Sequence, residues 1–93
     1  EITDLPQQPV VFTLIQEAGR VAEEEMFRVF NMGVGFAAVV SEEDAEVALA
    51  TLRDAGAPDA RIIGRVKGDE PGKVLIPGRG LVGTRKGGFV RAR

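Results

Sequence analysis

The chain contains no cysteine, histidine, tyrosine or tryptophan. Without cysteine there are no disulfides and no thiolate nucleophile, a usage that suits a reducing compartment, so a cytoplasmic location is expected. Without histidine there is no imidazole general base, and with cysteine also missing the common metal-ligand sets are gone. We therefore expect neither a metal site nor a catalytic residue within this chain. Long apolar runs are absent too. The longest, Gly33 to Val40, falls well short of the roughly 18 residues that cross a bilayer, so no membrane partner is expected. The opening EITDLPQQP has neither the basic nor the apolar region of a signal peptide, and none is expected.

What remains is ordinary in bulk and uneven in distribution. The 93 residues are 44% hydrophobic and 28% charged, a composition that suits a folded domain and argues against disorder. This length fits one small domain or a fragment of a larger one, spanning residues 1–93. The net charge of −2 conceals an asymmetry: residues 1–64 carry twelve acids and four bases, residues 65–93 two acids and eight bases. A basic end behind an acidic body reads either as a solvated tail or as a segment that docks on an acidic surface or attracts nucleic acid weakly.

Periodicity sets out the elements. Residues 1–8, with Pro6, read as a linker. Pro9 suits the first position of a helix, Val11, Leu14, Ile15 and Ala18 form its apolar stripe, and Gly19 is its expected stop. Glu23, Glu24 and Glu25 head a short helical turn, where acids suit the positive end of the dipole; Met26, Phe27 and Phe30 give it an apolar face. Phe36 to Val40 predicts a buried strand. Ser41 and Asp44 mark a helix start, Ala45, Ala48, Leu49, Leu52 and Ala55 its stripe, and Gly56 with Pro58 its end. Arg61 to Lys67 and Gly72 to Ile76 predict two more strands, joined by a turn at GDEPG. Residues 77–93 read as a basic, glycine-rich tail with at most one short edge strand. The order predicts an α+β fold: a small mixed or antiparallel sheet with helices on one face, partly ferredoxin-like, one strand–helix unit short of complete.

Gly33 and Gly35, one residue apart at the entrance to the expected strand, invite comparison with phosphate loops. Such loops place glycines after a strand and before a helix, so that the helix N-terminus meets the phosphate. Here the order is reversed. The pattern G-x-x-x-x-G-K-[ST] also fails, because Thr84 follows Gly83 where lysine is required. Two glycines on one strand face would instead leave a smooth groove for a ligand or another backbone. Asn31 stands beside that groove with an amide that both donates and accepts. Arg28, three residues earlier, either turns toward the same place to meet an anion or is an exposed helix arginine. Glu23–Glu25 and Glu42–Asp44 read as helix-head charges.

The run PVVFTLIQEAGRVAEEEMFRVFNMGVGFAAVV, continued by ALATLRDAGAPDARIIGRVKG, resembles the C-terminal part of the phosphoribosylformylglycinamidine cyclo-ligase (aminoimidazole ribonucleotide, or AIR, synthetase) family. The resemblance covers about Pro9 to Gly68. Its specific parts are Gln16-Glu17-Ala18-Gly19, Glu25-Met26, Arg28, the core Phe30-Asn31-x-Gly33-x-Gly35, and Ile63-Gly64. Phe27, Val29 and Phe36 depart from the tyrosine, threonine and methionine common in the family, which removes two hydroxyls beside the groove. The resemblance does not extend to the tail after Ile76.

The resemblance implies an enzyme of purine biosynthesis that uses ATP and Mg2+ to close the imidazole ring of formylglycinamidine ribonucleotide, releasing ADP and phosphate. It implies that ATP and metal are bound mainly by an N-terminal domain, which also forms the homodimer, and that this part supplies the facing wall of the cleft. Arg28, Asn31, Gly33 and Gly35 are then the candidate substrate-binding residues. The family's acidic nucleotide motif and its HTGGG-like segment are not in these residues, so the chain alone is expected to be inactive. Two alternatives stand beside this reading. One is a stand-alone α+β binding module using its basic tail for RNA or an acidic partner; the other is a different member of the same superfamily.

Overall fold

The computed structural model describes residues 1–69 and 71–92; Glu70 of the expected GDEPG turn and Arg93 of the tail lie outside the described residues. The elements are α1 (Val10–Gly19), α2 (Glu23–Val29), α3 (Ala45–Asp54), β1 (Val74–Ile76), β2 (Leu81–Gly83) and β3 (Phe89–Arg91), with 3-10 turns at Glu42–Asp44 and Pro77–Arg79. The three strands form one antiparallel sheet in the order β1-β2-β3, with Leu75 opposite Val82 and Val82 opposite Val90. Helix α2 packs on β3, and α1 packs on α2. The class is α+β, as the element pattern predicts.

The helices start and stop for local reasons. Pro9 stands just before α1, and the helix ends with Arg20 in the left-handed region, its N–H bonded to the Glu17 carbonyl while Val21 N–H reaches Gln16. The left-handed stop is thus Arg20, one residue beyond the glycine that the sequence suggests. Ahead of α3, Ser41 Oγ donates to Asp44 Oδ2 at 2.9 Å, so the expected start signal closes on itself rather than on the helix backbone. Glu23, Glu24 and Glu25 occupy the first turn of α2, where the free N–H groups favour acids.

The sheet departs from expectation. Phe36 to Val40 has no regular secondary structure and joins no ladder, because a strand needs a hydrogen-bonding partner and none of the described residues pairs with it. Arg61 to Lys67 is not a strand either: it makes one antiparallel bridge, Gly64 with Ile2. The opening residues, read as a linker, are held there by Ile2 N–H to Leu75 O at 2.7 Å and Thr3 N–H to Ile63 O at 2.9 Å. A β-carbon on Gly64 would collide with the Glu1 carbonyl, so glycine allows this close pass of two backbones. Only Val74–Ile76 of the expected 72–76 strand is in the sheet, and its partners come from the segment read as tail. The described residues thus build a meander of two consecutive hairpins, without the helical crossover that a ferredoxin-like unit requires.

The core is small. Met26 is fully buried, and Met32, Ile76 and Leu81 are nearly so. Phe12 and Phe30 meet at 5.8 Å between ring centroids, tying α1 to the end of α2. Much of the remaining apolar surface is open: Val10 is 70% exposed, Leu14 60%, Phe36 90% and Val39 80%. The α1 stripe therefore faces outward, while Phe12 and Gln16 turn toward the protein.

Candidate functional site

Helix α2 ends at Val29, and the chain leaves it extended at Phe30, whose N–H still bonds Met26 O at 2.9 Å. Asn31, Met32, Gly33 and Val34 then form a tight turn closed by Val34 N–H to Asn31 O at 3.0 Å. Met32 and Gly33 have φ of 53° and 98°, the left-handed pair at the centre of a type I′ turn. Methionine is an unfavourable residue there, and its burial in the core offsets the cost. The Asn31 Oδ1 accepts the Gly33 N–H at 2.8 Å, so the side chain fastens its own turn. Gly33 is required twice, by its φ and because a β-carbon would lie 2.6 Å from Pro9 Cδ.

The expected groove changes accordingly. Gly33 belongs to a turn and Gly35 to the irregular segment after it, so the two glycines do not line one strand face. A β-carbon on Gly35 would meet nothing within 4 Å; the space beside it is open. Asn31 is exposed, and with its oxygen engaged by Gly33 its amide N–H groups are the free polar feature. Asn31 also edges an apolar pocket of about 250 Å³, whose walls include Phe27, Phe30, Val34, Ile76 and Phe89. Arg28 stands elsewhere. Its guanidinium pairs with Glu25 across one turn of α2 at 3.0 Å, and both side chains remain solvated. Of the four candidate residues, the turn thus joins Asn31 and Gly33, leaving Gly35 just beyond and Arg28 on the helix.

A second, more polar cleft of about 570 Å³ lies between the opening segment, α1 and the Pro77–Arg79 turn, with Gln7, Gln8, Thr13, Gln16 and Arg79 on its walls. The described residues contain no grouping of three or more carboxylates, histidines or cysteines suited to a metal ion.

The basic segment is not a free tail. Arg79 and Arg91 both reach Glu23, at 3.3 and 3.5 Å, and Arg91 also reaches Glu24 at 2.9 Å. The Arg79 guanidinium lies 5.7 Å from the centre of the Phe27 ring, a cation–π distance, and Phe27 meets Phe89 edge-on at 6.1 Å. The acidic head of α2 is thus the surface on which the basic end docks. Reading residues 77–93 as loop overlooks Phe89 as a pocket wall. The signal was in the sequence: Leu81-Val82-Gly83 and Phe89-Val90-Arg91 are two short strand-like runs around a glycine-containing five-residue loop, a hairpin pattern.

Residues 3–77 match the family described as AIR synthase related protein, C-terminal domain. Among curated proteins, the phosphoribosylformylglycinamidine cyclo-ligase of Bacillus licheniformis is 47% identical over 73 residues, 78% of this chain and 20% of the relative. That of Caldicellulosiruptor bescii is 45% identical over 67 residues, 72% of this chain and 19% of the relative. The Bacillus velezensis protein is 50% identical over 62 residues, 67% of this chain and 18% of its own length. The chain therefore spans about a fifth of the length of the relatives it matches. No solved structure matches it.

Proposed function

The chain belongs to the AIR synthase related family, to its C-terminal domain, and from that membership we propose that it works as the C-terminal part of an ATP-dependent cyclo-ligase of purine biosynthesis. The reaction is closure of formylglycinamidine ribonucleotide to aminoimidazole ribonucleotide with release of ADP and phosphate, in the cytoplasm and in a homodimer. ATP and Mg2+ are held mainly by parts of the protein outside these residues.

The observation that carries the reading is the open surface. The chain exposes 7088 Å² for its 9.9 kDa, whereas a compact protein of that mass exposes roughly 5200 Å². The excess, roughly 1900 Å² on this chain alone, is more than the roughly 800 Å² that each partner contributes to a standard stable interface. It includes the α1 stripe and the Phe36–Val40 segment, which we read as a strand whose partner, and with it the ferredoxin-like remainder of the sheet, lies in the rest of the protein. Arg79 and Arg91 are engaged by the acidic head of α2, which leaves the stand-alone RNA-binding alternative fewer of the tail's cations to draw on.

Within the cleft, Asn31 donates its amide N–H groups to an acceptor on the substrate, while its oxygen holds the turn that presents them. Gly33 and Gly35 keep the adjoining backbone free of side chains, and Arg28, on the solvated face of α2 and paired with Glu25, turns from that partner to meet an anionic group at the edge of the cleft. The test is Asn31→Asp against Asn31→Ala in the intact enzyme. Aspartate keeps an acceptor for the Gly33 N–H and loses the donors. Loss of a hydrogen bond to a charged or developing acceptor lowers kcat/KM by roughly 10- to 100-fold, so both variants fall by that much, with Asn31→Asp keeping wild-type thermal stability. Wild-type turnover in Asn31→Asp would return Asn31 to a purely structural role.

A further inference from the structure

The hairpin formed by β2 and β3 lies beyond Ile76 and Pro77, where the match to the family ends, yet it touches the neighbourhood of both candidate polar residues. Phe89 shares with Asn31 the walls of the 250 Å³ pocket. Gly88, next to it, lies so close to Arg28 that a β-carbon there would sit 3.4 Å from Arg28 Cδ. Ion pairs from Arg79 and Arg91 to Glu23, and from Arg91 to Glu24, fasten the hairpin to the first turn of the same helix. Arg91 Nη1 also donates to the Arg79 carbonyl at 3.0 Å, and Ala92 N–H to Gly80 O at 2.7 Å, binding the end of β3 to the turn before β2. The appended segment is thus locked at its base and edges the pocket at its far end.

We propose that Phe89 is a specificity-determining residue: strapped onto α2 by the arginine–glutamate pairs, it gives the Asn31 pocket an aromatic wall that favours a flat ring presenting a hydrogen-bonding edge to Asn31. This rests on the cyclo-ligase reading for the identity of the ring, the one being closed during the reaction. The wall itself rests only on the contacts above. An aromatic ring stacks on or packs edge-on against such a wall better than an aliphatic group does. The β3 alternation sends the neighbouring Val90 outward, where it is largely exposed, so Val90 serves as a control on the same strand.

The experiment uses the intact protein and two readouts. In steady-state assays, where the open-chain substrate gains the ring only as it closes, Phe89→Leu raises the inhibition constant of the product aminoimidazole ribonucleotide by roughly fivefold with KM for formylglycinamidine ribonucleotide within about twofold, Phe89→Ala raises it further, and Val90→Thr leaves both parameters unchanged. In hydrogen exchange, Phe89→Ala speeds the peptide 23–34 by roughly tenfold while the α3 peptide 45–54 is unchanged, and Phe89→Leu keeps 23–34 protected. An unchanged product inhibition constant in Phe89→Leu, or unchanged exchange of 23–34 in Phe89→Ala, overturns the proposal. If Phe89→Ala also speeds 45–54, the fold has loosened generally and the Phe89→Leu kinetics decide. A wild-type protein that makes no aminoimidazole product overturns the enzyme reading, and exchange then decides the wall.

Discussion

At Gly33 an added side chain would meet two obstacles, a backbone φ of 98° and the Pro9 ring at 2.6 Å from the would-be β-carbon. Gly35, two residues on, presents neither: its φ is not in the left-handed region and its surroundings are empty. Gly33→Ala should therefore lower stability by roughly 1–3 kcal/mol, the scale of a strained backbone plus a local clash, whereas Gly35→Ala should leave it within about 0.5 kcal/mol. Urea unfolding of the intact protein, compared by midpoint at constant slope, measures both. If Gly35 instead borders the missing domain, the Gly35→Ala variant keeps its stability and loses turnover. The sequence shows that the two glycines matter as a pair with Asn31. It does not show that one of them is a turn residue, because a G-x-G spacing is equally compatible with one strand face and with the end of a type I′ turn.

Among the elements, α2 is the junction. It carries Met26 into the core, Phe27 onto Phe89, Arg28 toward the solvent, and Glu23 between two arginines. Glu23 is the more enclosed partner in both pairs, with 22% of its side chain exposed, so the network should matter more than isolated surface pairs do. Glu23→Gln should cost roughly 1 kcal/mol at low salt, and most of that difference should vanish near ~1 M salt, where the screening length falls to about 3 Å. Denaturation midpoints of wild type and variant at low and high salt check it, and a difference that persists at high salt would show packing rather than charge at work. The helices were legible in the sequence because helical hydrogen bonds are local: the Ser41–Asp44 start, the acidic head of α2 and the α3 stripe need no distant partner. The strands were not. Phe36–Val40 has strand-forming residues but no neighbour among the described residues to pair with. Leu81–Gly83 and Phe89–Arg91 carry a hairpin pattern, but each is only three residues long among glycines and arginines that mimic a loop, and they are fixed as strands by pairing with β1 and each other.

At the scale of the molecule, the shape is open: 40 by 33 by 19 Å, with a radius of gyration of 14.6 Å where a compact domain of this length has roughly 12 Å. Four residues form the buried core, too few to offset chain entropy comfortably. The outward α1 stripe and the apolar Phe36–Val40 segment, which pairs with none of the described residues, are the faces that we propose the rest of a longer protein covers. The charge asymmetry, by contrast, is met in part within the chain, Arg79 and Arg91 of the basic end closing on Glu23 and Glu24 at the acidic head of α2. The central claim is that these apolar faces are completed by the rest of a longer protein, which brings Asn31 to the wall of a shared cleft. Hydrogen exchange of peptides covering residues 10–19 and 34–41, measured on the isolated 93-residue chain and on the intact protein, tests it most directly. Slowing by roughly a hundredfold or more in the intact protein, the effect of adding about 3 kcal/mol of local opening free energy, is the predicted result. Equal exchange in the two would contradict it.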